Sequence, residues 1–123
     1  KVWPHFDSLT RQLQAQGYTV VMSPPSHEVA QAQANAPTAT LLPPLSLAAF
    51  VALLRQCSLV ICNDSGVAHL SALTDTPQIT LIGVTDPART RPWTPRAHLL
   101  GTFGHWPSVQ DVLDTAHSLL RNE

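Results

Sequence analysis

Short continuous apolar runs alternate along this chain with longer stretches whose apolar residues recur every three or four positions. The first kind of run reads as buried strand and the second as amphipathic helix. Phe6, Leu9 and Leu13 mark one face of a first helix, with Pro4 suited to its first turn and Gly17 to its stop. A strand over 18–22 follows, closed by Ser23-Pro24-Pro25-Ser26, and then an Ala- and Gln-rich helix over 27–35. The pattern repeats with a strand over 38–42, ended by Pro43-Pro44. From Ser46, a suitable N-cap, Leu47, Phe50, Val51, Leu54 and Cys57 trace one face of a third helix. Strands over 59–62 and 78–82 flank a helix over 67–73. A proline-rich loop covers 83–96, and His98-Leu99-Leu100 reads as an edge strand. The last helix carries Val109, Val112, Leu113, Ala116, Leu119 and Leu120 on one stripe. Strands alternating with helices predict a three-layer, Rossmann-like α/β domain with a mainly parallel sheet covered on both faces.

Size and composition narrow this picture. At 123 residues, 44% hydrophobic and 12% charged, the chain has the material for one domain with a real core. Seven Lys and Arg stand against eight Asp and Glu, a net charge of −1. No broad basic field exists to hold nucleic acid, so any anionic ligand must be gripped locally. No apolar run approaches the ~20 residues that span a bilayer. The spacing of Cys57 and Cys62 suits neither a zinc site nor a redox pair, and both read as small buried residues of a reducing compartment. A cytoplasmic setting is the expectation. The chain enters a helix at Lys1-Val2-Trp3-Pro4 with no Met and no preceding strand, which predicts a piece of a longer protein.

The stretch richest in chemistry is Cys62-Asn63-Asp64-Ser65-Gly66-Val67-Ala68-His69-Leu70, which follows Ser58-Leu59-Val60-Ile61 directly. It reads as strand, tight loop and helix. Asp64 or Ser65 can cap the helix, Gly66 permits close backbone approach, and the first free amides of the helix face whatever lies before them. In an open parallel sheet such a loop lies at the carboxyl end of a strand, where these folds bind ligands. Read locally, Asp64 and Ser65 as caps and as ligand contacts stand even. His69 has a packing reading beside a functional one, and Glu28 at a helix start complements the helix dipole. Trp3, Trp93 and Trp106 read as packing residues, and Arg89, Arg91 and Arg96 as a solvated surface.

Four segments in order resemble one family. They are Lys1-x-Trp3-Pro4; Glu28 opening the second helix; Leu42-Pro43-Pro44-Leu45-Ser46-Leu47; and Asn63-Asp64-Ser65-Gly66-x-x-His69 with Gly83-x-Thr85-Asp86-Pro87. The pattern is similar to the carboxyl-terminal domain of the lipopolysaccharide heptosyltransferases, glycosyltransferase family 9, with a GT-B fold. The loop motif is its most specific part. The resemblance implies that residues 1–123 form the ADP-heptose-binding domain, with the acceptor domain absent from this chain. It implies Lys1 near the diphosphate and sugar, Glu28 on the ribose hydroxyls, Leu45 against adenine, and Asp64 at the sugar or its phosphate surroundings. Ser65 and Gly66 would bind phosphate, and His69 would face the site from the first turn of its helix. Lys1 and Asp64 are the catalytic candidates.

The implied reaction moves heptose from ADP-L-glycero-D-manno-heptose to the lipopolysaccharide inner core, with the base on the absent domain and the isolated chain inactive. The implied location is cytoplasmic, peripheral to the inner membrane through that absent domain. No cofactor is required by this reading, and Asp64 and Asp86 could hold magnesium only weakly. Two alternatives stand beside it: a nucleotide-binding module without turnover, and a GT-B relative using another nucleotide sugar, such as a UDP sugar.

Overall fold

The computed structural model describes residues 3–24, 26–63, 74–81, 83, 97–102 and 104–121. The chain divides into two compact units, Pro4–Phe50 and Val51–Glu123, the latter joined by Lys1–Trp3.

In the Pro4–Phe50 unit, helix α1 (Phe6–Ala15) buries Leu9, Thr10 and Leu13. Its first backbone bond runs from the Leu9 amide to the His5 carbonyl at 3.1 Å, so Pro4 precedes the cap and lies outside the first turn. The helix ends as its glycine predicts. Gly17 takes φ +94°, its amide donates to Gln14, and the Tyr18 amide donates to Leu13 at 3.1 Å; this paired arrangement satisfies the last carbonyls. Because Tyr18 belongs to that cap, strand β1 is Val21–Met22 only, shorter than the run of apolar residues predicts. A 3₁₀ turn (Ser26–Glu28) leads into α2 (Val29–Asn35), so the expected helix over 27–35 begins with a tighter turn. Strand β2 (Thr40–Leu41) pairs parallel to β1, with Val21 opposite Thr40 and Met22 opposite Leu41. Helix α3 (Leu47–Gln56) is capped by the Ser46 hydroxyl, which accepts from the Ala49 amide at 3.2 Å.

The other unit holds three parallel strands in the order β3 (Val60–Asn63), β4 (Gln78–Leu81) and β5 (Ala97–Leu100). All four residues of β4 are buried, as expected of a strand flanked on both sides in a covered parallel sheet. The segment 98–100 is the edge strand its sequence suggests, lengthened by Ala97. Helix α4 (Val109–Arg121) turns Val112, Leu113 and Ala116 into the core at 0%, 4% and 0% exposure. The Ser108 hydroxyl caps it by accepting from the Asp111 amide at 3.1 Å. Trp3 is fully buried, and its indole N–H donates to the Pro107 carbonyl at 2.9 Å. No helix among the described residues is long and apolar enough to cross a membrane. Every strand pairing in the two sheets is parallel, as the alternation of strands and helices predicts, while the described strands form two sheets where one is expected.

Candidate functional site

Two of the sequence-predicted site residues fall in described structure, and both belong to the Pro4–Phe50 unit. Glu28 follows β1 and Leu45 follows β2. As these strands are parallel neighbours, both residues leave from the carboxyl edge of the same pair, the edge at which parallel α/β sheets bind ligands. Glu28 occupies the N-cap position of α2 and makes no side-chain cap bond there. Its carboxylate lies 3.3 Å from the His27 imidazole, with both side chains exposed. The exposed carboxylate has acceptor capacity left beyond this pairing, and its charge complements the amino end of the helix.

Leu45 is one of the exposed large apolar residues, at 36%. It stands between two fixed points. The Ser23 hydroxyl donates to the Pro43 carbonyl at 3.3 Å, and Ser46 caps α3. Leu47, expected on the buried face of α3, is 67% exposed. As the first residue of the helix it precedes the turn on which Leu54 becomes buried.

At the far end of the same strand pair the fastening is polar and dense. The Asp7 carboxylate accepts from the Thr38 hydroxyl at 2.7 Å and the Thr38 amide at 3.2 Å. Its other oxygen meets Arg11 at 2.9 Å. Gln14 donates to the Thr38 carbonyl at 2.9 Å. Bonding from Thr38 above all, with the Arg11 charge adding to it, holds the Asp7 carboxyl below its ordinary range.

In the other unit the strand that launches the Asn-Asp-Ser-Gly loop is formed one residue later than the expected 59–62 and takes in Asn63, which lies opposite Leu81 in the register of β3 with β4. Lys1, Asp64, Ser65, Gly66 and His69 lie outside the described residues, as do Thr85, Asp86, Trp93 and the arginines of the proline-rich loop. Gly83, which opens the Gly-x-Thr-Asp-Pro segment, is described and buried. A Cβ built there would run into the six-membered ring of the Trp106 indole, and the Gly83 carbonyl accepts from the Gly104 amide at 2.6 Å. This glycine is required by close packing. The sequence names both Gly83 and Trp106 without linking them, because nothing local in either segment points to the other.

Neither Cys57 nor Cys62 is in a disulfide; Cys62 is buried and Cys57 half-buried, with burial raising the Cys57 thiol above its ordinary range. Among the described residues no three His, Cys, Asp or Glu side chains group so as to hold a metal ion.

A family model for glycosyltransferase family 9 (heptosyltransferase) matches residues 1–116. The lipopolysaccharide heptosyltransferase 2 of Salmonella typhimurium is 28% identical over 152 residues, covering 100% of this chain and 44% of that protein. The lipooligosaccharide heptosyltransferase 2 of Haemophilus influenzae is 32% identical over 111 residues, covering 81% of this chain and 32% of its own length. Among solved structures, the Escherichia coli heptosyltransferase WaaC with ADP superposes with a TM-score of 0.82 at 23% identity. That match covers 94% of this chain and 38% of that one, and it speaks to the fold. The chain thus spans less than half the length of these relatives.

Proposed function

For a chain that belongs to glycosyltransferase family 9 (heptosyltransferase), we propose the role of donor-binding domain in an inverting heptosyltransferase. It holds ADP-L-glycero-D-manno-heptose for transfer to the lipopolysaccharide inner core. The observation that carries this reading is the pair Glu28 and Leu45, both exposed at the carboxyl edge of two adjacent parallel strands. An acceptor carboxylate and an apolar side chain are what a nucleoside asks for: Glu28 accepts from the ribose hydroxyls and Leu45 lies against adenine. A relative whose structure is described with ADP supports the choice of base.

Breaking the bond between the anomeric carbon and the diphosphate leaves negative charge on the departing ADP. Fixed donors and a cation aimed at that charge stabilise the transition state more than the ground state. Lys1 supplies the cation in this proposal. Ser65 and Gly66 supply the hydroxyl and backbone amides, Asp64 orients the sugar, and His69 faces the site from its helix. The general base that accepts the acceptor hydroxyl's proton must come within ~3 Å of it. It is assigned to an acceptor domain beyond residues 1–123, so this chain alone does not transfer, and any attachment to the inner membrane comes through that other domain.

Calorimetry with ADP, UDP and GDP tests the proposal, since it demands a preference for ADP. A preference for UDP would replace it with a GT-B relative using another sugar nucleotide. ADP binding without transfer once the acceptor domain is supplied would leave a binding module. Glu28→Gln is expected to weaken ADP binding by about 1–3 kcal/mol, the usual scale for a hydrogen bond to a charged group. The loss should be smaller for 2′-deoxy-ADP; equal losses for both nucleotides would remove Glu28 from the ribose.

A further inference from the structure

We infer that Ser23 is a positioning residue that locks the Glu28-bearing and Leu45-bearing loops into one nucleoside-recognition unit. The inference rests on the donor-binding reading above and adds to it a residue that touches neither ribose nor base. Its basis is the way the β1–β2 ladder stops. Two successive rungs are formed, the Thr40 amide donating to Val20 and the Leu42 amide to Met22, each at 2.9 Å. The next bonds of a parallel ladder would need the amides of residues 24 and 44, and neither Pro24 nor Pro44 has an N–H to give. Each strand is followed by a proline pair, Pro24-Pro25 and Pro43-Pro44, so these four positions offer no backbone N–H with which to extend the ladder.

Ser23 takes over at this point. Its hydroxyl donates to the Pro43 carbonyl at 3.3 Å, carrying the cross-strand tie one step beyond the last rung. On one side of this bond the chain runs through the prolines to Glu28. On the other it reaches Leu45, whose far side is fixed by the Ser46 cap on α3. Without the bond each loop keeps its own proline stiffness, but the two lose their common reference, and ligand must then supply the ordering. The energetic signature is therefore coupling between Glu28 and Leu45. A purely structural serine would show a loss of stability instead.

The experiment is a set of ADP titrations on the unmutated protein, Ser23→Ala and Ser23→Thr, with urea unfolding of each. Ser23→Ala is expected to weaken ADP binding about two- to ten-fold, the range for one neutral hydrogen bond, with an unchanged unfolding midpoint. Ser23→Thr, which keeps the hydroxyl, should restore binding to within about two-fold. A double-mutant cycle of Glu28→Gln with Leu45→Ala should show coupling with Ser23 present, and that coupling should vanish in the Ser23→Ala background. ADP binding as tight in Ser23→Ala as in the unmutated protein would overturn the inference alone, as would undiminished coupling. Failure of the unmutated protein to bind ADP would overturn the donor-binding reading, and the role of Ser23 with it.

Discussion

The two units of this chain are held together by different means. In the Val51–Glu123 unit a strand with all four residues buried lies between two others, and a helix presses three nearly unexposed side chains inward. Trp3 completes that core from the start of the sequence. In the Pro4–Phe50 unit the strands are two residues each, α2 buries nothing, and the core is mainly Leu9, Leu13 and Ala36. Individual polar ties compensate: the Gly17 cap and the Asp7 and Gln14 bonds to Thr38. Packing energy scales with buried apolar area and tolerates little change, whereas a set of separate hydrogen bonds can be lost one at a time at modest cost. The loops proposed to recognise the nucleoside belong to the second kind of construction, where residues can differ without collapse of the core.

The contrast breaks most visibly at Trp3. Trp3→Ala should lower stability by about 3–5 kcal/mol, the scale of a large aromatic removed from a core, with the Pro107 carbonyl left without its donor. Urea unfolding measures it, with Leu13→Ala as the comparison from the other unit; a larger loss for Leu13→Ala would reverse the ranking of the two cores. Next in size is Gly83→Ala, which forces a Cβ into the Trp106 indole and should cost about 1–3 kcal/mol as an overpacking change. A Gly83→Ala protein as stable as the parent would mean that the indole swings aside freely. The smallest effect is at Asp7, and it is a matter of pH. Its carboxyl is held below the ordinary range of about 3.9, so its stabilising contribution is complete above that range. The contribution is lost as pH falls through the lowered value. Melting temperatures between pH 6 and pH 2.5 should therefore fall slightly less steeply for Asp7→Asn than for the parent. Identical slopes would remove Asp7 from the acid response.

What the sequence made legible follows the same division. Helix α4 is readable because burial enforces an apolar stripe, whereas β4 alternates Gln78 and Thr80 with Ile79 and Leu81 and is marked by its β-branched residues. The Gly17 stop and the Ser46 cap were readable because each uses a residue whose chemistry suits that backbone position. The strand over 18–22 was overextended because apolar character does not reveal that Tyr18 serves a helix cap or that prolines end the ladder. Periodicity puts Leu47 on a buried face because it does not distinguish the first residue of a helix from the turns behind it. Of the candidate site, Glu28 at a helix start and Leu45 after a strand stand where the chain order put them. Asp64, Ser65, Gly66, His69 and Lys1 rest on motif alone. The Ser23–Pro43 bond had no local signal at all, since it joins two loops distant in sequence.

The hydrogen bond from Trp3 to Pro107 joins residues 104 positions apart, and this sets an order of events during synthesis. Every contact internal to Pro4–Phe50 is available once Phe50 has left the ribosome, while Trp3 leaves ahead of those residues and must wait for Pro107. A contact of such separation closes late because the entropy of the intervening loop must be met before it is rewarded. The Trp3 indole, fully buried in the fold, thus stays exposed while residues 4–106 are made. Until Pro107 has been made the indole stands open to chaperones and proteases, and its arrival withdraws it.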